Sequence, residues 1–199
     1  MLIVPFRNMT AQLQLQSYIE RVALFGDQEA FEKLYYHFYK KVRGFAMALV
    51  KSQDIAEEVT ADLFVNLWKS RARLIEVENI NLYVYVATRN LAVKHLEKNN
   101  RSSEFSLEEL DADKLISGYQ DPEETLLNGE MIRHLHDAIQ SLPPRCRVIY
   151  KMVREDGLKY KEIATILNIS VKTIDAQMAI ATRRISQSIR FVFPERTVK

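Results

Sequence analysis

Cysteine is nearly absent from this chain. Among 199 residues only Cys146 is present, so no internal disulfide framework can form, and the composition suits a reducing compartment. Glycine and proline number five each, which favours long helices over many tight turns. No uncharged run approaches the roughly 20 apolar residues that a membrane-spanning helix requires. The apolar start MLIVPF meets Pro5 and Arg7 too soon for a secretory signal. A cytoplasmic chain without membrane insertion is expected. Glycine-rich phosphate loops are missing as well. The four histidines (37, 95, 134 and 136) have no metal-ligand spacing, and His134 and His136 face different sides of a helix. Cys146 has no His or Asp partner that sequence establishes, so neither catalysis nor a cofactor is expected.

What is present is ordinary globular material, with 47% hydrophobic and 27% charged residues. That is enough for one medium domain or two small ones. The net charge of +2 is unevenly spread. Residues 1–100 hold 13 Lys/Arg against 11 Asp/Glu, residues 101–128 hold 2 against 8, and residues 129–199 hold 13 against 7. An acidic stretch between two basic ends predicts an N-terminal domain over 1–100, a linker over 101–128 and a C-terminal domain over 129–199.

The periodicity is helical throughout. Residues 1–22 carry a weak stripe of Leu13, Leu15, Tyr18, Ile19 and Val22. Asp27 is placed to cap a helix whose apolar positions are Phe31, Leu34, Phe38, Val42, Phe45 and Leu49. Ser52 or Asp54 could cap the next, with Ile55, Val59, Leu63 and Leu67 as its stripe and Phe64 and Trp68 beside it. A loop containing SRARLIEVEN leads to a helix over about 81–99, with Val84, Ala87, Leu91 and Leu96 on one side. Helices resume over 130–141 and 146–155, separated by LPPR, because Pro143 and Pro144 fit only a helix boundary.

The stretch LKYKEIATILNISVKTIDAQMAIATRRI reads as two helices joined by a very short turn. Ile163, Ala164, Ile166 and Leu167 form the inner side of the first helix. Asn168 tolerates the left-handed conformation that a sharp turn needs. Ile169 plugs the angle, Ser170 caps the second helix, and Val171, Ile174, Met178 and Ala181 are its expected inner positions. This spacing predicts a helix-turn-helix. Its outward residues would then be Lys172, Thr173, Asp175, Ala176, Gln177 and Ala179, followed by Arg183 and Arg184. A plain helical hairpin is the alternative that this stretch alone leaves open.

Two further stretches, DIAEEVTADLFVNLWKSR (54–71) and NLYVYVATRNLAVKHLEK (81–98), together with the helix-turn-helix, resemble bacterial RNA polymerase sigma factors of the extracytoplasmic-function branch. The resemblance implies an all-α chain of two small helical domains joined by an acidic linker, the C-terminal one containing the helix-turn-helix. It implies core RNA polymerase and promoter DNA as partners, and it admits an anti-sigma factor. Asp54, Glu57, Glu58, Asp62 and Asn66 would contact the polymerase. Tyr83, Arg89, Asn90 and Lys94 would face the −10 element, with Arg71, Arg73 and Leu74 of the preceding loop capturing an unstacked base. Ser170, Lys172, Thr173, Asp175, Ala176, Gln177, Arg183 and Arg184 would face the −35 element. Asp175 departs from the family pattern, which is often basic there, and Ala61 stands where the family often has Gln. The acidic linker would enter the polymerase cleft.

Two other readings compete. A response regulator with a similar output helix would need an N-terminal receiver domain with strands ending in Asp, and residues 1–100 show none. A helix-turn-helix regulator or sigma-like interaction protein without initiation activity shares the motif and differs in what it does with polymerase.

Overall fold

Nearly every stretch with apolar residues at three- and four-residue steps is a helix in the computed structural model, which describes residues 5–98 and 130–192. The order is α1 (Pro5–Phe25), α2 (Gln28–Val50), α3 (Gln53–Lys69), a 3-10 helix (Arg71–Glu76), α4 (Ile80–Lys98), α5 (Glu130–Gln140), α6 (Pro144–Arg154), α7 (Tyr160–Leu167) and α8 (Val171–Val192). No strand occurs among the described residues. The architecture is all-α. The acidic linker lies outside the described residues.

In the N-terminal domain, α1 buries Leu15, Ile19 and Val22 and turns Leu13 outward. Gly26, at φ 62°, reverses the chain into α2. The Asp27 carboxylate accepts from the Ala30 amide at 3.0 Å and from Arg21 at 2.7 Å, closing the α1–α2 corner. Those two donors, the amide first, hold its carboxyl below the usual value. The stripe of α2 then packs Leu34, Phe38 and Val42 against Leu63, Phe64 and Leu67 of α3 and Val84 of α4. Ser52 occupies the cap position of α3, although its hydroxyl makes no capping bond.

In the C-terminal domain Pro144 stands in the first turn of α6, where its missing N–H costs nothing. The α7–α8 connection is a three-residue turn. Asn168 adopts φ 54°, and the amide of Ile169 donates to the Ala164 carbonyl at 3.0 Å. Ser170 Oγ accepts from the Thr173 amide at 3.0 Å. Ile163, Ile166, Leu167, Ile174 and Met178 close the inner side, and Ile169 packs against them. Val171, expected inside, is 42% exposed. It opens the first turn of α8, beyond the end of α7, where no neighbouring helix covers it. Ala181 and Ile185, further along α8, pack against Ala138 and Leu142. The Cys146 thiol donates to the Gln177 carbonyl at 3.2 Å, tying α6 to α8.

The two domains share apolar contact. One continuous cluster runs from Phe45, Leu49 and Tyr85 to Ile149, Met152, Leu158 and Ile163. Each such fully buried side chain is worth about 1.5–3 kcal/mol relative to exposure.

Two outcomes follow from this geometry. Asn168→Gly should keep the urea midpoint close to wild type, whereas Asn168→Val should lose about 1–2 kcal/mol, because a β-branched residue is strained at positive φ. Burial pushes the Cys146 thiol up and encloses it. Reaction of native protein with a thiol reagent should therefore be slow and should accelerate sharply when denaturant unfolds the chain.

Candidate nucleic-acid interface

Three surfaces carry the residues singled out in the sequence. The first is the outer side of α3. Burying Val59, Leu63 and Leu67 forces the opposite side of that helix outward, so Asp54, Glu57, Glu58, Asp62 and Asn66 are all exposed. The acidic N-terminal end also complements the helix dipole. Glu57 is held by Gln53 at 3.2 Å and Arg43 at 3.3 Å. Glu58 and Asp62 share a partner that periodicity did not reveal. His95 of α4 places Nδ1 3.3 Å from Glu58 and Nε2 2.9 Å from Asp62, with only 12% of its side chain exposed. A bond between residues 33 apart leaves no local pattern in the sequence.

The second surface is α4 and the turn before it. Seven and eleven residues bring a helix back to within about 20° of the same direction. Tyr83, Asn90 and Lys94 accordingly form one exposed stripe, while Val84, Tyr85, Thr88 and Ala92 are buried. Tyr85 stands edge-on to Phe45, 5.1 Å between ring centroids, as a packing aromatic. Arg89 is half-buried, and its Nε is enclosed without a hydrogen-bond partner.

The loop candidates separate. Residues three apart share a side of a 3-10 helix, so Arg71 and Leu74 turn inward together. Leu74 is 2% exposed and packs in the N-terminal core, which removes it as a base-capturing side chain. The outward apolar residue there is Ile75, 42% exposed. Arg71 donates to the Trp68 carbonyl at 3.1 Å and lies 4.8 Å over the Trp68 ring, so it serves the fold as well. Arg73 is exposed and available.

The third surface is the outer side of α8. Lys172, Asp175, Ala176, Arg183 and Arg184 are exposed, and Thr173 and Gln177 are half-buried. Ser170 is exposed at the cap, and its hydroxyl is 2.9 Å from that of Thr173. Part of the hydrogen-bonding capacity of Thr173 is therefore spent on the helix end. Ala176 leaves a flat centre, flanked by the cation of Lys172 at one end and those of Arg183 and Arg184 at the other. That arrangement suits base contact in the middle and phosphate contact at the ends. Asp175, on the same exposed side, opposes phosphates and could accept only from a base donor such as the cytosine amino group.

No helix among the described residues is long and apolar enough to cross a membrane.

Comparison with known proteins gives these surfaces a context. Residues 34–102 match the family model described as Sigma-70 region 2, and residues 132–185 match Sigma-70, region 4. Together these matches cover more than half of the chain. The RNA polymerase sigma-H factor of Pseudomonas aeruginosa is 25% identical over 188 residues, spanning 92% of this chain and 97% of its own. The ECF RNA polymerase sigma-E factor of Escherichia coli strain K12 is 27% identical over the same shares of both chains. A solved structure of CnrH in complex with the cytosolic domain of CnrY aligns with 87% of this chain and 96% of that one, at 15% identity and a TM-score of 0.43. α3 and α4 fall in the first family match, and α6, α7 and α8 as far as Ile185 fall in the second. The chain belongs to the sigma-70 family of RNA polymerase sigma factors, in its extracytoplasmic-function branch.

Proposed function

We propose a division of labour among the three exposed surfaces: α3 docks on core polymerase, α4 with Arg73 opens and reads the −10 element, and α8 reads the −35 element. Membership of the family makes the chain a factor for promoter-specific transcription initiation, working with core RNA polymerase on promoter DNA. The assignment of residues is our own reading. A cytoplasmic location goes with that role, and the role requires no catalytic residue from the chain itself.

The observation that carries the reading is the stripe of Tyr83, Asn90 and Lys94. It is an exposed line on a helix that buries Val84, Tyr85, Thr88, Ala92 and Leu96. An amide in mid-helix has poor propensity and gains nothing from packing there. A ring, an amide and a cation in one line offer stacking, base-edge bonding and phosphate contact together. Opening a duplex costs a few kcal/mol per unstacked base, and such contacts to the freed strand offset it.

The −35 contacts divide in the same way. Lys172, Arg183 and Arg184 would hold phosphates and set affinity, while Thr173, Asp175, Ala176 and Gln177 would meet base edges. Ser170 acts as the helix cap and brings the first amides of α8 toward the backbone of the DNA. On α3, Asp54 and Asn66 would offer exposed polar groups to polymerase, while Glu57 meets it already held by Gln53 and Arg43, and Glu58 and Asp62 already steadied by His95.

Asn90→Ala and Lys94→Ala test the central assignment. Each should lower promoter opening, read as permanganate reactivity of −10 thymines, about tenfold, equivalent to about 1.4 kcal/mol. Affinity for core polymerase should stay within about twofold. Loss of core binding, with opening restored at saturating core polymerase, would place that stripe on the polymerase instead.

A further inference from the structure

We propose that Asp175 makes α8 select a cytosine at one defined position of the −35 element, by accepting from the cytosine amino group in the major groove. This preference deepens the reading of α8 given above and rests on it.

Among the described residues Asp175 holds nothing in place. It is the fifth residue of α8, beyond a first turn in which no acid stands. The helix dipole favours an anion only within that first turn. The cap is already supplied by Ser170, whose hydroxyl accepts from the Thr173 amide. No hydrogen bond or ion pair among the described residues engages the Asp175 carboxylate, and Lys172, three residues before it, does not pair with it. One turn away on either side stand Val171 and Ala179, both exposed and uncharged. Aspartate inside a helix also has poor propensity. On a side otherwise suited to a polyanion, such an acid weakens binding to every sequence except one that offers it a donor.

The surroundings carry the carboxylate to a base edge. Lys172, Ala176, Ala179 and Arg183 follow at steps of four, three and four, and all are exposed. Those steps keep them within a sector of about 60° around the helix. Lys172 and Arg183 are about 16 Å apart along the axis, at about 1.5 Å per residue. A major groove is about 12 Å wide, so the two cations can rest on the phosphate backbones that border it. The alanines between them add only methyl groups, and the helix can settle deeply. The short side chain of Asp175, beside that line, then reaches the bases.

There Val171 and Ala179 displace water from around the carboxylate, and a carboxylate left without water or donor is costly. Guanine presents two acceptors in this groove, and thymine an acceptor and a methyl group. Adenine presents its amino group beside the N7 acceptor, whereas cytosine presents the N4 amino group with no acceptor next to it. Asp175 accepts from cytosine, is partly opposed by adenine, and is repelled by guanine and thymine. Its selectivity comes as much from refusal as from attraction.

The test uses core polymerase saturated with the full chain, on a promoter that the pair transcribes, with the −35 base pairs randomised. Each template carries a transcribed tag that identifies its −35 sequence, so sequencing the transcripts gives the preference at every position. Wild type should favour cytosine at one position by about tenfold, the discrimination expected of one good base contact. Asp175→Asn should move that position to adenine, whose N6 and N7 fit a carboxamide, and Asp175→Ala should erase its preference. Both should leave the other positions unchanged. Lys172→Ala, which removes a phosphate contact, should lower use of all sequences alike and shift no preference. Preferences that neither Asp175 variant alters overturn the proposal and leave the reading of α8 in place. Loss of preference at every position in both variants also overturns it, because the residue would then support the helix. Wild type with no −35 preference at all overturns the reading of α8 and the proposal together.

Discussion

A carboxylate without water is the most demanding group in this molecule. The Asp156 side chain is wholly enclosed, and an enclosed charge must be met by donors or it disfavours the fold that encloses it. Lys41 reaches it from α2, Tyr85 from α4, and Asn81 donates to its main-chain carbonyl. These partners fix how the α6–α7 turn sits against two N-terminal helices at once. Apolar contact alone would permit sliding, since Phe45, Leu158 and Ile163 are content against many neighbours. The relative placement of the domains thus follows from a few polar bonds, and the adhesion between them follows from the shared apolar cluster.

Within each domain the exposed functional surface is the complement of what is buried. α3 must hide Val59, Leu63 and Leu67, and that requirement alone presents Asp54, Glu58 and Asp62 to a partner. α4 must hide Val84, Tyr85 and Ala92, which leaves Tyr83, Asn90 and Lys94 in one line. α8 turns Ile174 and Met178 inward, which leaves Lys172, Asp175, Ala176, Ala179 and Arg183 exposed. His95 adds a link between two of these surfaces, because it stands on the proposed −10 helix and holds two acids of the proposed polymerase contact.

Much of this was legible from residue order because helical burial is periodic and turns have local chemistry. Asn168 in the left-handed region, Ser170 as a cap, Asp27 as a cap and Pro144 in a first turn each need only neighbours within four residues. Where the expected reading failed, the period had changed or a neighbour was missing. Leu74 falls where the sequence reads as an open loop, whereas a 3-10 helix turns it inward with Arg71. Val171 fits the apolar stripe of α8 and still lies beyond the reach of α7. Asp156 and His95 could not be read locally at all, since their partners lie up to 115 residues away.

In the proposed division of labour, two DNA-facing helices and a docking helix act together on a bipartite promoter. In that reading Asp175 is one exposed anionic acceptor among groups that suit DNA, and it would narrow the sequences α8 accepts. The most direct measurement is transcription from genomic DNA by core polymerase at saturating amounts of this protein, with the 5′ ends of the products mapped. A sigma factor of this kind should yield a restricted set of start sites that core alone ignores, each preceded by shared −10 and −35 sequences. Start sites identical to those of core alone would contradict it.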